Sequence, residues 1–215
     1  MDFKNIKIII WDFDGTFYKP DQKLWQDVRE AEYKTIMNHN GWDRIRTEIQ
    51  FAKLHKVKIA SATEVVARLT GLSVKTASLD LEQYFDRRLY LSKDRKLIRL
   101  FADLKPFRHF ILGNGVRHRI EEALDILGIP IKTFEEIVTS ETVGVNKPNP
   151  EGYQYILNKT GLPPEQHLMV GDREVNDLAT AKSLDMKTCL VWSDNPGNIA
   201  DATLPKVYDI GNLLL

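Results

Sequence analysis

The sequence predicts an α/β protein: a doubly wound, parallel-sheet core of Rossmann-like form carrying an inserted all-helical segment. Three observations carry that expectation. Short β-branched runs alternate with amphipathic helical patterns between residues 106 and 192. The alternation is interrupted over residues 17–91, where the patterns are helical and only residues 57–60 form a short apolar stretch. Aspartates follow the ends of the first and fourth predicted strands, at the carboxyl edge where open α/β sheets keep their ligands. The expected core is therefore residues 1–16 and 92–215, the helical insertion residues 17–91, with crossings near residues 17–20 and 91–94.

The first strand is residues 6–11, Ile-Lys-Ile-Ile-Ile-Trp, nearly continuous in apolar character as a strand buried on both faces must be. In the insertion, Leu24, Val28 and Ala31 begin one amphipathic helix. Ser61 and Glu64 have the spacing of a capping box, and Gly71 closes the helix they open. Val74, Ala77, Leu81, Tyr84 and Phe85 share a face of the next helix. Later strands are expected at residues 109–112, 136–139, 167–170 and 188–192. Between them, Val116, Ile120, Ala123, Leu124 and Leu127 make one helical face that Gly128 ends. A further helix begins after Lys147, with Asn149 as candidate N-cap and Pro150 in its first turn. The last core helix covers about residues 175–184.

Composition narrows the function classes. With 43% hydrophobic and 28% charged residues the chain is globular. Thirty basic residues offset thirty acidic ones, so no overall field attracts polyanions, and neither nucleic acid nor a membrane surface is an expected partner. One cysteine, Cys189 in a predicted strand, excludes an internal disulfide framework and a multi-cysteine zinc site. No apolar run approaches the ~20 residues that span a bilayer, and residues 6–11 are too short for a signal peptide, so a soluble cytoplasmic protein is expected.

The chemistry-bearing residues cluster at strand ends. Alternation puts Asp12 and Asp14 on one side of the chain, where two carboxylates repel unless a cation or a shared proton intervenes. Read singly, they fit an Asp-Gly turn equally well. Asp172 follows the fourth predicted strand and Asp177 lies in the opening turns of the next helix, where acids also complement a helix dipole. Four carboxylates at one edge need compensation, which a hard divalent cation with oxygen ligands supplies. Lys147 stands at a helix entrance that attracts anions. A metal, a positive counter-charge and a carboxylate nucleophile together suit phosphoryl transfer.

With these residues the chain resembles the haloacid dehalogenase superfamily of hydrolases, most of which are phosphatases. Asp12-Phe13-Asp14-Gly15-Thr16 is similar to the first family motif, and Ile111-Leu112-Gly113-Asn114-Gly115 to the second. Gly144-Val145-Asn146-Lys147-Pro148 resembles the third, and Gly171-Asp172 through Asp177 the fourth. The resemblance implies a magnesium-dependent phosphomonoester hydrolase acting on a small phosphorylated metabolite, with residues 17–91 as the helical cap that the family places between its first and second motifs. It implies Asp12 as nucleophile and Asp14 as general acid and base. Mg2+ would be held by Asp12, the Asp14 backbone carbonyl and Asp172, with Asp177 supporting. Lys147 would neutralise the nucleophile and phosphate, and Gly113 and Asn114 would help bind the phosphate. Retention of Asp14 speaks against carbon–halogen cleavage. Gly113 departs from the pattern, since the family carries Thr or Ser there. Its loss removes a hydroxyl donor, leaving the amides of Gly113, Asn114 and Gly115 as an anion-binding nest.

Two other functions stay open at this stage: a phosphomutase with the same nucleophile, and a phosphate-binding regulatory protein with a weakened site. The oligomeric state is undetermined. Trp25, Tyr33, Trp42 and Phe51 are candidates to stack on a substrate, though such aromatics are more often the core of a helical bundle. Tyr18 is reminiscent of nucleotidase-like relatives. Arg29, Arg44, Arg46, Arg87 and Arg88 are candidate anion contacts whose default place is a solvated helix face. None of the five histidines pairs at metal-ligand spacing; His109 is expected in a strand and His118 at the surface.

Overall fold

A computed structural model describes residues 3–19, 22–55 and 57–215. Six parallel strands, β1 (Ile8–Trp11), β2 (Arg108–Leu112), β3 (Glu136–Val138), β4 (His167–Gly171), β5 (Lys187–Val191) and β6 (Ala202–Leu204), stand in the order β3-β2-β1-β4-β5-β6. The order reverses at β1, so ligands are expected beyond the carboxyl ends of β1, β2 and β4. The pleat divides β1 between two cores. Ile9 and Trp11 pack on one face with Leu97, Phe101 and Ile120, whereas Ile8 and Ile10 pack on the other with Tyr153, Ile156 and Met169. This two-sided burial accounts for the continuous apolar character of the strand. Cys189 is buried in β5, and burial pushes its thiol up to about 12.

Among the described residues, the first four helices after β1 are α1 (Gln22–Asn40), α2 (Arg44–Leu54), α3 (Ala62–Thr70) and α4 (Val74–Leu81). They surround a core of their own built on Ile36, Phe51, Val65, Val66 and Ala77. A 3-10 turn (Arg87–Tyr90) leads to α5 (Arg95–Asp103), whose N-cap is Asp94. Pro20, at the end of the first predicted crossing, lies outside the described residues. In the expected apolar stretch at residues 57–60 the described residues form an isolated bridge, between His55 and Ile59, and no strand. Tyr84 departs from the predicted helical face, because α4 ends at Leu81 and leaves Tyr84 exposed.

The remaining helices are α6 (Arg117–Leu127), α7 (Ser140–Val143), α8 (Glu151–Thr160), α9 (Ala179–Ser183) and α10 (Gly211–Leu214). Gly128 ends α6 in the left-handed conformation, as expected. Three local readings are corrected. Pro150, not Asn149, occupies the N-cap of α8, and the Asn149 amide donates instead to Glu64 Oε1 and the Asn146 carbonyl. Ser61 accepts from the Glu64 amide, but Glu64 accepts from the Asn146 amide and the Asn149 side chain, so the box is only half formed. The helix expected at residues 175–184 begins as a π-helical turn, Glu174–Leu178, before α9. Among the described residues, no helix is long and apolar enough to cross a membrane.

Candidate active site

The carboxyl edge of the sheet brings Asp12, Asp172, Asp177 and Lys147 together. Asp12 follows β1, its backbone N–H bonded to the Val170 carbonyl, and Asp172 follows β4. Lys147 Nζ lies 2.6 Å from Asp12 Oδ1 and 2.8 Å from Asp177 Oδ1, with its side chain only 1% exposed. Thr16 Oγ1 donates to Asp12 Oδ2 at 2.8 Å. Two glycines make the crowding feasible. Gly15 has φ +97°, and a Cβ there would fall 2.5 Å from Asp172 Oδ2. A Cβ on Gly171 would fall 2.5 Å from the Asp177 Cβ, so this glycine lets the π turn bring Asp177 back over the strand end.

The electrostatics differ among the three acids. Burial works to raise Asp12, but Lys147 and Arg173, with the hydrogen bonds from Lys147 and Thr16, hold it below its ordinary value. Burial, reinforced by the charges of Asp12 and Asp177, pushes Asp172 up to about 8. Asp177 is raised by burial and by Asp12, and both its oxygens are engaged, by Lys147 and by the Arg173 amide at 3.1 Å. Asp172 Oδ1 is buried without a hydrogen-bond partner, the Arg173 Nε standing 3.7 Å away. One ligand oxygen from each of the three acids lies within 4.8 Å of the others. An all-oxygen donor set with an orphaned carboxylate oxygen fits a hard divalent cation.

The second motif departs from its expected geometry. The Gly113 amide donates to the Val138 carbonyl at 3.0 Å, continuing the β2–β3 ladder, so it does not join the expected nest. Asn114 clasps the backbone of Lys147: its Nδ2 donates to the Lys147 carbonyl at 3.0 Å and its Oδ1 accepts from the Lys147 amide at 2.8 Å. Asn114 therefore fixes the lysine. Of the three expected amides, Asn114 and Gly115 remain at the cleft wall.

Asp14 stands apart from the cluster of Asp12, Asp172 and Asp177, 29% exposed, with Tyr18 donating to its Oδ1. Arg87 Nη1 lies 3.0 and 3.2 Å from its two oxygens. Sequence reasoning assigned Arg87 to a solvated face, yet it is buried; a lone arginine has no local signature that separates the two. The other candidate arginines of the insertion behave differently. Arg44 forks onto Glu30, Arg88 pairs with Asp86, Arg46 covers Trp42 and Arg29 lies 4.3 Å over the Phe51 ring.

A cleft of about 1220 Å3 runs between sheet edge and inserted helices. Asp12, Asp14, Asn114 and Asp172 line it from one side, and Trp25, Arg29, Glu32 and Arg87 from the other. Trp25 thus faces the cleft, whereas Tyr33, Trp42 and Phe51 belong to the helical core. Burial raises Glu32 to about 7 against the opposing charge of Arg29. His109 is buried, accepting from the Trp11 indole, and His118 is exposed.

The chain belongs to the haloacid dehalogenase-like hydrolase family, whose sequence profile matches residues 6–185. Two relatives aligned along most of the chain are named as phosphatases. Glyceraldehyde 3-phosphate phosphatase from Methanopyrus kandleri is 27% identical over 210 residues, 85% of this chain and 82% of that one. A stretch of 90 residues is 36% identical to the same-named protein of Methanothermobacter thermautotrophicus, but spans only 39% of its length. In fold, the chain is similar to a phosphatase of this family from Thermococcus onnurineus, with TM-score 0.68, 20% identity and 97% of each chain covered. It is also similar to the magnesium-bound hydrolase YfnB of Bacillus subtilis, with TM-score 0.59, 17% identity, and 97% and 98% coverage.

Proposed function

We propose that this chain is a magnesium-dependent phosphomonoester hydrolase that works through an aspartyl phosphate on Asp12, with residues 17–91 as a cap over the site. The observation that carries the reading is the Asp12 carboxylate, held by Lys147 and Thr16 beside an Asp172 oxygen that no protein group satisfies. A buried carboxylate kept ionised and fixed by two donors is prepared as a nucleophile.

In the first step an Asp12 oxygen bonds to phosphorus while the bond to the leaving oxygen breaks, and Asp14 gives its proton to that oxygen. In the second, Asp14 takes a proton from water, which attacks phosphorus, releases inorganic phosphate and restores the Asp12 carboxylate. Lys147 keeps its charge throughout and offsets the approach of an anionic substrate to a carboxylate cluster. Asp12, the Asp14 backbone carbonyl and Asp172 would hold the cation, with Asp177 orienting Lys147 behind them. Once bound, it would neutralise the acids and the phosphoryl oxygens. Magnesium is favoured by the hard oxygen donors and by its presence in the YfnB structure. The M. kandleri relative is named for a small phosphorylated metabolite, and that class is the substrate proposed here.

The test is phosphate release from p-nitrophenyl phosphate and from a panel of phosphorylated metabolites. Turnover that requires magnesium and is abolished by a chelator supports the reading. Magnesium-independent turnover, or none on any phosphate ester, refutes it.

A further inference from the structure

Asp14 is braced from the far end of the insertion. Arg87 begins the 3-10 turn Arg87–Tyr90, 73 residues further along the chain, and its side chain is 5% exposed. Its Nη1 spans both Asp14 oxygens, and its Nη2 donates to Glu82 Oε1 at 2.5 Å. Glu82 is itself buried just after α4, and the Phe85 ring lies 5.7 Å from the guanidinium. The same guanidinium closes on the second motif, because a Cβ at Gly115 would lie 3.4 Å from Nη1.

A buried arginine–glutamate pair is a poor device for stability alone. Desolvating two charges consumes most of their attraction, and a packed apolar pair does as well or better. What the pair supplies is direction. Glu82 fixes the plane of the guanidinium, and a guanidinium with two hydrogen bonds to one carboxylate fixes that carboxylate in turn. Asp14 needs such a brace, since it lies outside the Asp12, Asp172 and Asp177 cluster and is the most exposed of the four acids, 29% against 20% for Asp172.

We propose that Arg87, supported by Glu82, is the positioning residue of Asp14, holding its carboxylate where a proton can pass to the leaving oxygen and later from water. The inference rests on the reading of Asp14 as the proton-transfer group. Arg87 carries no proton in either step and acts only through Asp14. Misplacing a reacting group by about 1 Å costs on the order of 10²-fold. Arg87→Ala therefore lowers kcat about 10- to 100-fold with little change in KM, and Arg87→Lys, which keeps the charge and one donor, recovers part of the loss.

The deciding experiment is a double-mutant cycle with Asp14→Asn, read as kcat on p-nitrophenyl phosphate with magnesium. If Arg87 acts through Asp14, adding Arg87→Ala to Asp14→Asn changes kcat by less than about twofold. Glu82→Gln, which conserves shape, gives a smaller loss with the same non-additivity and serves if Arg87→Ala folds poorly. Full additivity for both substitutions overturns the proposal while leaving the role of Asp14 intact, as does a rise in KM without loss of kcat. An Asp14→Asn variant that retains parental kcat overturns the reading of Asp14 and the proposal with it.

Discussion

Replacing Lys147 by methionine keeps an unbranched side chain one atom shorter and removes the ammonium that sits 2.6 Å from Asp12 and 2.8 Å from Asp177. Both carboxylates stay buried, and breaking a buried pair by deleting one partner costs about 3–5 kcal/mol. The size of the loss depends on pH in a defined direction. In the parent, Asp12 is held below its unfolded value near 3.8, so its contribution to stability is present above that pH and lost as pH falls through the folded value. Without the lysine, burial dominates and Asp12 and Asp177 are both raised. Their folded forms then favour the proton, and the variant loses stability as pH rises. Lys147 itself is raised above 10.5 and stays charged throughout the working range, its burial outweighed by Asp12 and Asp177. The gap between parent and variant therefore widens upward in pH, by about 1.4 kcal/mol per pH unit, or about 4 kcal/mol between pH 5 and pH 8, for each proton the folded variant retains across that range. Urea denaturation at both pH values without divalent cations, analysed at constant slope, measures it. A loss below about 1 kcal/mol at both pH values, or a larger loss at pH 5, refutes the claim that the lysine compensates the acid cluster.

Two further outcomes are expected. Gly113 is not in the left-handed region, but a Cβ there would meet Ile120 Cδ1 at 2.9 Å, so Gly113→Thr costs about 1–3 kcal/mol by overpacking. Ile120→Val deletes that methyl; the double variant regains stability and raises turnover of p-nitrophenyl phosphate about tenfold if a hydroxyl donor is what the loop lacks. Unchanged turnover in the stable double variant removes that argument. Glu32, raised by burial from 4.5 to about 7, contributes stability fully below pH 4.5 and loses it as pH climbs toward 7. Glu32→Gln therefore gains on the parent by up to about 3 kcal/mol between those limits, and a pH-independent difference in melting experiments contradicts the shift.

Much of the fold is legible in the sequence because β1, β2, β4 and β5 are buried on both faces, which makes their apolar runs nearly unbroken. Helix α2 is not, because its pattern is inverted: Ile45 and Ile49 are exposed while Thr47 is buried with Phe51. The edge strand β6 is three half-buried residues and carries no periodicity. The site divides similarly. Asp12, Lys147, Asp172 and Asp177 are readable as charges that would be intolerable apart, and the fold brings all four together. The engagement of Gly113 by Val138, the clasp of Asn114 on Lys147 and the brace of Arg87 on Asp14 are contacts between distant segments, and short-range patterns carry no trace of them.

The most direct measurement is a rapid-quench experiment on Asp14→Asn with p-nitrophenyl phosphate and magnesium, followed by mass spectrometry of the digested enzyme. A good leaving group needs little protonation, whereas the second step loses its base. The account predicts a burst of p-nitrophenol equal to the enzyme present, and one phosphoryl group on the peptide containing Asp12. No burst with no modified peptide, or a phosphoryl group on any other residue, contradicts covalent catalysis by Asp12.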